Sequence, residues 1–216
     1  FTDLAPTYME LAGLDWETTG MAPPEGRSLS HLFATDNEQV HRNHVLIGKE
    51  RHDIGRPNDV GYPIRGIVEN NWLYVRNFEP ERWPAGNPET GYLNCDGSPT
   101  KTSILEMRRS DVDARYWDMS FGKRPVEELF DLREDPDCLN NLAGNEMFSA
   151  VKDRLRSQME KELKAQQDPR ILGNGAVFDA YPYAHEGSRD FYDKFQRGEA
   201  PNTGWVNKTD FERDSD

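Results

Sequence analysis

The sequence is short of cysteine, of long apolar runs and of the features that mark the start of a secreted protein. Its two cysteines, Cys95 and Cys138, allow at most one disulfide, which excludes a scaffold held together by disulfides. No apolar run approaches the roughly 18 residues of a membrane-spanning helix, so a membrane span is excluded. Neither an initiator methionine nor a signal peptide precedes Phe1, and we therefore expect the numbering to begin inside a longer protein.

Positive charge is also scarce. The 26 lysines and arginines are outnumbered by 39 acidic residues, which gives a formal net charge of -13. A field of this sign repels phosphate, so it excludes a binding surface for nucleic acid, or for an anionic membrane, that extends over the whole molecule. An anionic substrate would need a local basic pocket.

Hydrophobic residues make up only 35% of the chain and charged residues 30%, whereas aromatic side chains are plentiful at 11%. A chain of 216 residues with this composition can build only a modest core. We therefore predict a polar, loop-rich segment that buries much of its apolar surface against another domain.

The spacing of hydrophobic residues predicts an α+β fold with a small antiparallel sheet packed against a C-terminal helix. The β-rich runs Ile64–Glu69 and Trp72–Asn77 are separated by two asparagines and predict a hairpin, and residues 128–132 predict a further short strand. Residues 148–164 follow helical spacing with charges on the other face. Residues 79–103 are rich in proline and glycine, which predicts a long ordered loop.

The two ends of the chain carry a weaker pattern. Asp3 is a candidate N-cap for a helix in which Tyr8 and Leu11 share one face, and Gly13 marks the end of that helix. Beyond residue 167 no period is sustained. This composition predicts a tail that lies over a surface.

Four stretches of the chain match a known family in their order and spacing. They are residues 1–14 with 26–29, residues 48–53 with 61–65, residues 128–143, and residues 168–173. The stretch 128–143 contains Leu-Phe-Asp-Leu, then Asp-Pro, then Asn-Leu, and resembles the signature before the last helix of sulfatases of the alkaline-phosphatase superfamily. The stretches within 48–65 and 168–173 are similar to the heparan N-sulfatase, or sulfamidase-like, branch.

The resemblance implies a division of the chain into three segments. Residues 1–27 would be the end of a large α/β catalytic domain and a linker, residues 28–167 a C-terminal subdomain that docks on that domain, and residues 168–216 an extended tail. The family uses calcium and a formylglycine made from a C-x-P-x-R or S-x-P-x-R motif. Neither Cys95 nor Cys138 lies in such a motif, so the nucleophile and metal ligands are expected elsewhere and this segment alone is expected to be inactive.

The resemblance also implies a function for the parent protein. It would hydrolyse sulfate esters or sulfamates of carbohydrates in the periplasm, the extracellular space or the lysosome. Its partners would be the N-terminal sulfatase domain and a sulfated carbohydrate. Two alternatives stay open: a phosphonate or phosphate monoester hydrolase of the same superfamily, and a stand-alone carbohydrate-binding or structural module.

The densest cationic stretch, residues 41–65, is the candidate substrate-binding site. Guanidinium groups offer a planar fork and ammonium groups a point charge to sulfate or uronate. The candidate contact residues are His52, Arg65, Lys49 and Arg51. The carboxylate of Asp53 could orient the His52 imidazole, and this pair resembles a His-acidic pair of the sulfamidase-like branch. The alternative is that neighbouring acidic residues pair with these cations on a solvated surface.

Overall fold

The computed structural model describes residues 2–34, 43–199 and 203–212. Contacts divide the chain into two units, a first unit of residues 1–43 and a second unit of residues 44–216. None of the helices within the described ranges has the length and hydropathy that a membrane span requires.

The first unit begins with the predicted helix, α1, which covers Leu4–Leu11. Gly13 follows it with a φ of 67°, as expected for a residue just beyond a helix end. Asp3 does not cap the helix with its side chain, because its Oδ1 accepts a hydrogen bond from the backbone N–H of Arg27 at 2.8 Å. A short 3-10 segment and the helix α2 follow, at Trp16–Thr19 and His31–Ala34.

The second unit contains a four-stranded antiparallel sheet within its described residues, in the order β1-β2-β3-β4. The strands are β1 His44–Lys49, β2 Ile64–Glu69, β3 Trp72–Asn77 and β4 Glu127–Asp131. The predicted hairpin of β2 and β3 is confirmed. Asn70 and Asn71 join them with φ angles of 49° and 66°, the positive values that a two-residue hairpin loop requires and that asparagine tolerates.

The main core lies between one face of the sheet and the helix α5, Ser149–Ala165. Alternate strand residues and one stripe of the helix meet there because the periods of two and of 3.6 residues each place apolar side chains on a single face. The buried members of this cluster are Ile67, Tyr74, Leu129, Leu155, Met159 and Leu163. The predicted α+β class, a small antiparallel sheet with a helix packed on it, is confirmed.

The predicted loop at 79–103 is wrong over its last residues. A helix, α3, begins at Pro99 and continues to Arg109, with Ser98 Oγ accepting from the backbone N–H of Lys101 at its N-terminus. A further helix, α4, covers Arg115–Phe121. These helices and the loop before them enclose a second core cluster of Tyr92, Leu105, Trp117 and Phe121.

Within its described residues the tail carries two short α-helices that its composition does not predict. They are α6 at Ala176–Ala180 and α7 at Phe191–Gln196. Phe191 is 1% exposed and packs with Ile54 and Leu93 in a third core cluster. The tail therefore supplies core residues as well as surface. A helix of five or six residues is too short to display a helical period, which is why sequence spacing misses it.

Candidate functional site

A cavity of about 540 Å³ lies in the second unit, beside the end of β1 and the beginning of α3. It falls in the range of roughly 300–1,000 Å³ that is typical of ligand pockets. Its polar and ionisable wall comprises Lys49, His52, Asn94, Cys95, Ser98, Thr100, Lys101 and Ser120. The cavity therefore contains two of the four predicted contact residues, Lys49 and His52.

Lys49 is the last residue of β1, where its backbone pairs with that of Ile64. Its ammonium lies 5.4 Å from the centroid of the Tyr62 ring. No carboxylate within the described residues forms an ion pair with it. Burial lowers the pKa of Lys49, and the nearby Arg56 guanidinium lowers it further. Both effects disfavour the charged ammonium unless an anion joins it.

Arg56 is a second cation of this region and is only 1% exposed. Its Nε and Nη2 donate to the backbone carbonyls of Trp83 and Pro84 at 2.9 and 3.0 Å, and Pro84 also lines the cavity. Its Nη1 is buried without a hydrogen-bond partner among the described residues. Burial, reinforced by the charge of Arg82, lowers the pKa of Arg56 to about 10. Tyr62 and the Asp53 carboxylate offset this lowering only in part. A buried guanidinium that forms no ion pair is uncommon and costly.

His52 lies on the cavity wall and is exposed. No hydrogen bond between His52 and Asp53 is present in the described part of the chain, so the predicted orientation of the imidazole by this carboxylate is not observed. Asp53 Oδ1 instead accepts from the backbone N–H of Ile54 at 2.8 Å and from the Tyr183 hydroxyl at 3.4 Å.

We expect Asp53→Asn to stabilise the second unit at neutral pH. Burial raises the pKa of Asp53 above its ordinary value, and the contacts with Ile54, His52 and Tyr183 only partly offset this, while Asp96 adds to it. The folded state therefore holds the proton more tightly than the unfolded state, and ionisation costs stability as the pH rises through the folded pKa. Thermal melting should show a higher Tm for the variant at pH 7.

The pH dependence of the Tm difference provides the control for this prediction. The advantage of Asp53→Asn should shrink as the pH falls below the unfolded pKa of about 3.9, where the native side chain is protonated in both states. A difference in Tm that is constant between pH 3 and pH 7 would contradict the assignment of a raised pKa to Asp53.

Arg65 and Arg51, the other predicted contact residues, do not line this cavity. Arg65 is 6% exposed and donates to Glu50 Oε1 at 2.7 Å and to Asp168 Oδ2 at 2.9 Å. Arg51 donates to the backbone carbonyls of Asp59 and Tyr181. Both guanidinium groups thus tie β1 and its flanking residues to other parts of the second unit. Their role in substrate binding stays a prediction.

Two further residues of the region are not singled out by sequence reasoning. Arg56 stands in the cationic stretch but has no motif of its own, and Asn94 lies in the Pro- and Gly-rich loop. The side-chain nitrogen and oxygen of Asn94 are buried without partners among the described residues, and Asn94 lines the cavity. The cationic stretch also includes His41 and Arg42, which lie outside the described residues.

The described residues do not fit the calcium or formylglycine of the resembled family. They include no group of three or more His, Cys, Asp or Glu side chains that could hold a metal ion. Cys95 and Cys138 are free thiols outside any formylglycine motif, and burial raises the pKa of each.

No family model matches the chain. The chain is 27% identical over 168 residues to a Formosa agariphila protein named an ulvan-active sulfatase, a match that covers 78% of this chain and 29% of that protein. It is 26% identical over 176 residues to another Formosa agariphila protein of the same name, with 80% and 26% covered. The chain thus spans less than a third of the length of these relatives.

Among solved structures, the chain is similar to a 2-O GAG sulfatase, with a TM-score of 0.47 and 17% identity over 77% of this chain and 25% of that one. The two sequence matches are the stronger finding, because their identities of 27% and 26% exceed the 17% of the solved structure over a similar share of this chain. They show a likeness to these sulfatases over most of this chain.

Proposed function

We propose that this chain is the C-terminal part of a sulfatase acting on a sulfated polysaccharide, and that the cavity beside Lys49 binds an anionic group of that glycan. The observation that supports the proposal is the pair Lys49 and Arg56. Lys49 is half-buried on the cavity wall, and Arg56 is buried against Pro84 of that wall without lining the cavity itself. Neither forms an ion pair with a carboxylate of the described residues, although Asp53 acts on Arg56 electrostatically. A bound sulfate or uronate provides the missing negative charge.

The contrast with other cations of this protein strengthens the argument. Acidic residues outnumber basic ones, and other buried cations have acidic partners, such as Arg65 with Glu50 and Lys101 with Asp210. A cation that stays unpaired in such a protein is held away from carboxylates by the fold. The unpaired ammonium of Lys49 and the unpaired amide of Asn94, both on the cavity wall, are therefore best explained by a ligand that supplies acceptors. The buried guanidinium of Arg56, which donates to Pro84 of the same wall, adds positive charge to this region.

The bond cleavage is proposed to depend on residues outside this chain. A formylglycine nucleophile and calcium belong to the resembled family, and the residues described here do not fit either. The relatives are named for activity on ulvan, whereas the stretches within 48–65 and 168–173 resemble heparan N-sulfatases. We propose a sulfated polysaccharide as the substrate class, with sulfamates as the branch-specific alternative, and a periplasmic, extracellular or lysosomal location.

In an intact sulfatase that contains this chain, we expect His52→Ala to lower kcat/KM on a sulfated ulvan oligosaccharide by about 5-fold, the loss of one hydrogen bond. Hydrolysis of a small aryl sulfate, which lacks the sugar units that would occupy this cavity, should be unchanged. The chain alone serves as the negative control and should hydrolyse neither compound. Parallel loss of both activities in the variant would indicate a structural role, and unchanged activity on the oligosaccharide would remove His52 from the site.

A further inference from the structure

We propose that a second cavity, on the other side of residues 52–53, binds an uncharged sugar residue of the same glycan. The inference rests on the proposed function of the first cavity. The second cavity has a volume of about 370 Å³ and is lined by Asp53, Tyr183, His185, Ser188, Phe191 and Trp205. Its volume falls in the range of roughly 300–1,000 Å³ that is typical of ligand pockets.

Aromatic side chains form the apolar part of this cavity, and the fold holds them in place. The Tyr183 ring lies 5.6 Å from the Arg51 guanidinium carbon, and its hydroxyl donates to Asp53. The Trp205 indole Nε1 donates to the backbone carbonyl of Leu93 at 2.9 Å. Phe191 is only 1% exposed and supports the wall from within the core, which leaves the Tyr183 and Trp205 rings as the surface that a sugar can contact. Rigid aromatic rings suit the C–H face of a sugar, because they provide large contact area with little loss of side-chain entropy on binding.

Polar groups at the same cavity suit the hydroxyl rim of a sugar. Asp53 Oδ1 already accepts two hydrogen bonds, but its Oδ2 accepts none from the described residues, so it is available to a hydroxyl donor. His185 Nδ1 and Ser188 Oγ lie 2.8 Å apart and add groups that can both donate and accept. A few placed polar groups on an apolar wall are typical of a small-molecule site.

The charge of the lining selects against an anionic sugar. Neither lysine nor arginine is among its described lining residues, and Asp53 places a carboxylate on the wall. A sulfate or uronate would be repelled by this carboxylate and would find no lysine or arginine on the wall, since the Arg51 guanidinium lies against the Tyr183 ring and donates to the backbone carbonyls of Asp59 and Tyr181. The second cavity therefore differs in ligand class from the first, where Lys49 is unpaired.

The two cavities are neighbours because consecutive residues line them. His52 lies on the first and Asp53 on the second, and consecutive Cα atoms are about 3.8 Å apart. A glycan whose anionic group occupies the first cavity can therefore place an adjoining uncharged sugar in the second. This arrangement would make the enzyme select for the sugar next to the charged unit.

The test is calorimetric binding of an ulvan oligosaccharide whose sulfates have been removed and whose carboxylates have been reduced. Tyr183→Leu should weaken its affinity for the chain by about 3- to 10-fold. The matched control is Tyr181→Leu, which should leave affinity unchanged because Tyr181 is 56% exposed and lines neither cavity. Asp53→Asn should also weaken binding, although this variant is expected to be more stable, so a folding defect cannot explain the loss.

The outcomes separate this inference from the proposed function. Absence of binding by the uncharged oligosaccharide, or equal losses for Tyr183→Leu and Tyr181→Leu, would overturn the second site. Binding of the sulfated oligosaccharide would still depend on Lys49 in that case, and the proposed function would stand. Loss of the dependence on Lys49 with retention of the Tyr183 effect would overturn the first site instead.

Discussion

Replacing Lys49 with methionine should weaken the binding of a sulfated ulvan oligosaccharide to the chain by about 10- to 150-fold. The ammonium is half-buried and has no carboxylate partner within the described residues, so the ligand anion would be its main ionic contact. A charge-assisted hydrogen bond contributes about 1.5–3 kcal/mol, which corresponds to that range of affinity. Isothermal titration calorimetry at constant ionic strength measures the effect.

Lys161→Met is the matched control, since it removes the same charge from an exposed position on α5. It should change affinity by less than about 2-fold, because an exposed charge acts on a distant anion only through a screened field. The uncharged oligosaccharide should bind equally well to the native chain and to the Lys49 variant. Equal losses from the two lysine substitutions would show that net charge, and not this cavity, governs binding.

Lys101→Met should lower the free energy of unfolding of the chain by about 3–5 kcal/mol. The side chains of Lys101 and Asp210 are 1% and 0% exposed, and their Nζ and Oδ2 atoms lie 3.1 Å apart. Lys101 Nζ also donates to the backbone carbonyls of Cys95 and Gly91 at 2.6 and 2.9 Å. Methionine fills a similar volume but leaves the buried Asp210 carboxylate without its cation, with only the Asn207 N–H among the described residues still donating to it, and the two buried carbonyls without this donor. Urea denaturation measures the loss.

The control for Lys101 is Lys123→Met, which breaks an ion pair with Glu81 in which the two side chains are 43% and 92% exposed. Solvent-exposed pairs contribute about 1 kcal/mol or less, so this variant should remain close to the native chain in stability. If both substitutions cost the same, the buried pair does not anchor α3 to residues 208–210.

Sequence spacing predicts the elements in which the apolar spacing continues over many residues or is bounded by turn-forming residues. The helix α5 has four apolar positions at helical spacing, with Phe148 directly before it as a fifth, and the β2–β3 hairpin has two β-rich runs with Asn70 and Asn71 between them. In each case the local pattern and the burial of one face agree. The strand β4 is predicted one residue late, because an isolated strand has no second pattern to fix its ends.

The elements that spacing misses depend on contacts distant in sequence. The helix α3 has a favourable start, with Ser98 as its N-cap and Pro99 as its first residue. The run before it is rich in proline and glycine, however, and this composition predicts a loop. The helix α7 is only six residues long, and its Phe191 is buried because Ile54 and Leu93 reach it from far along the chain. The local spacing of hydrophobic residues cannot predict contacts between residues so distant in sequence.

The candidate site is predictable only in part for the same reason. The cationic stretch indicates Lys49 and His52, and the fold places both on one cavity. Whether a cation forms an ion pair depends on residues far away in sequence. Arg65 donates to the carboxylate of Asp168, whereas Arg56 donates only to the backbone carbonyls of Trp83 and Pro84 within the described residues. Sequence alone ranks Arg65 above Arg56 as a candidate for substrate contact. Only the folded structure shows that Arg56 has no ion-pair partner among the described residues.

The most direct test of the proposed anion site is a nuclear magnetic resonance titration of the isotope-labelled chain with a sulfated ulvan oligosaccharide. The largest changes in amide chemical shift should fall at residues 49–52, 56 and 94–101, around the first cavity, and should be reduced in the Lys49→Met variant. Shift changes confined to other parts of the second unit, or a map that is identical in the variant, would contradict the claim that the cavity beside Lys49 and Arg56 binds the anionic group of the glycan.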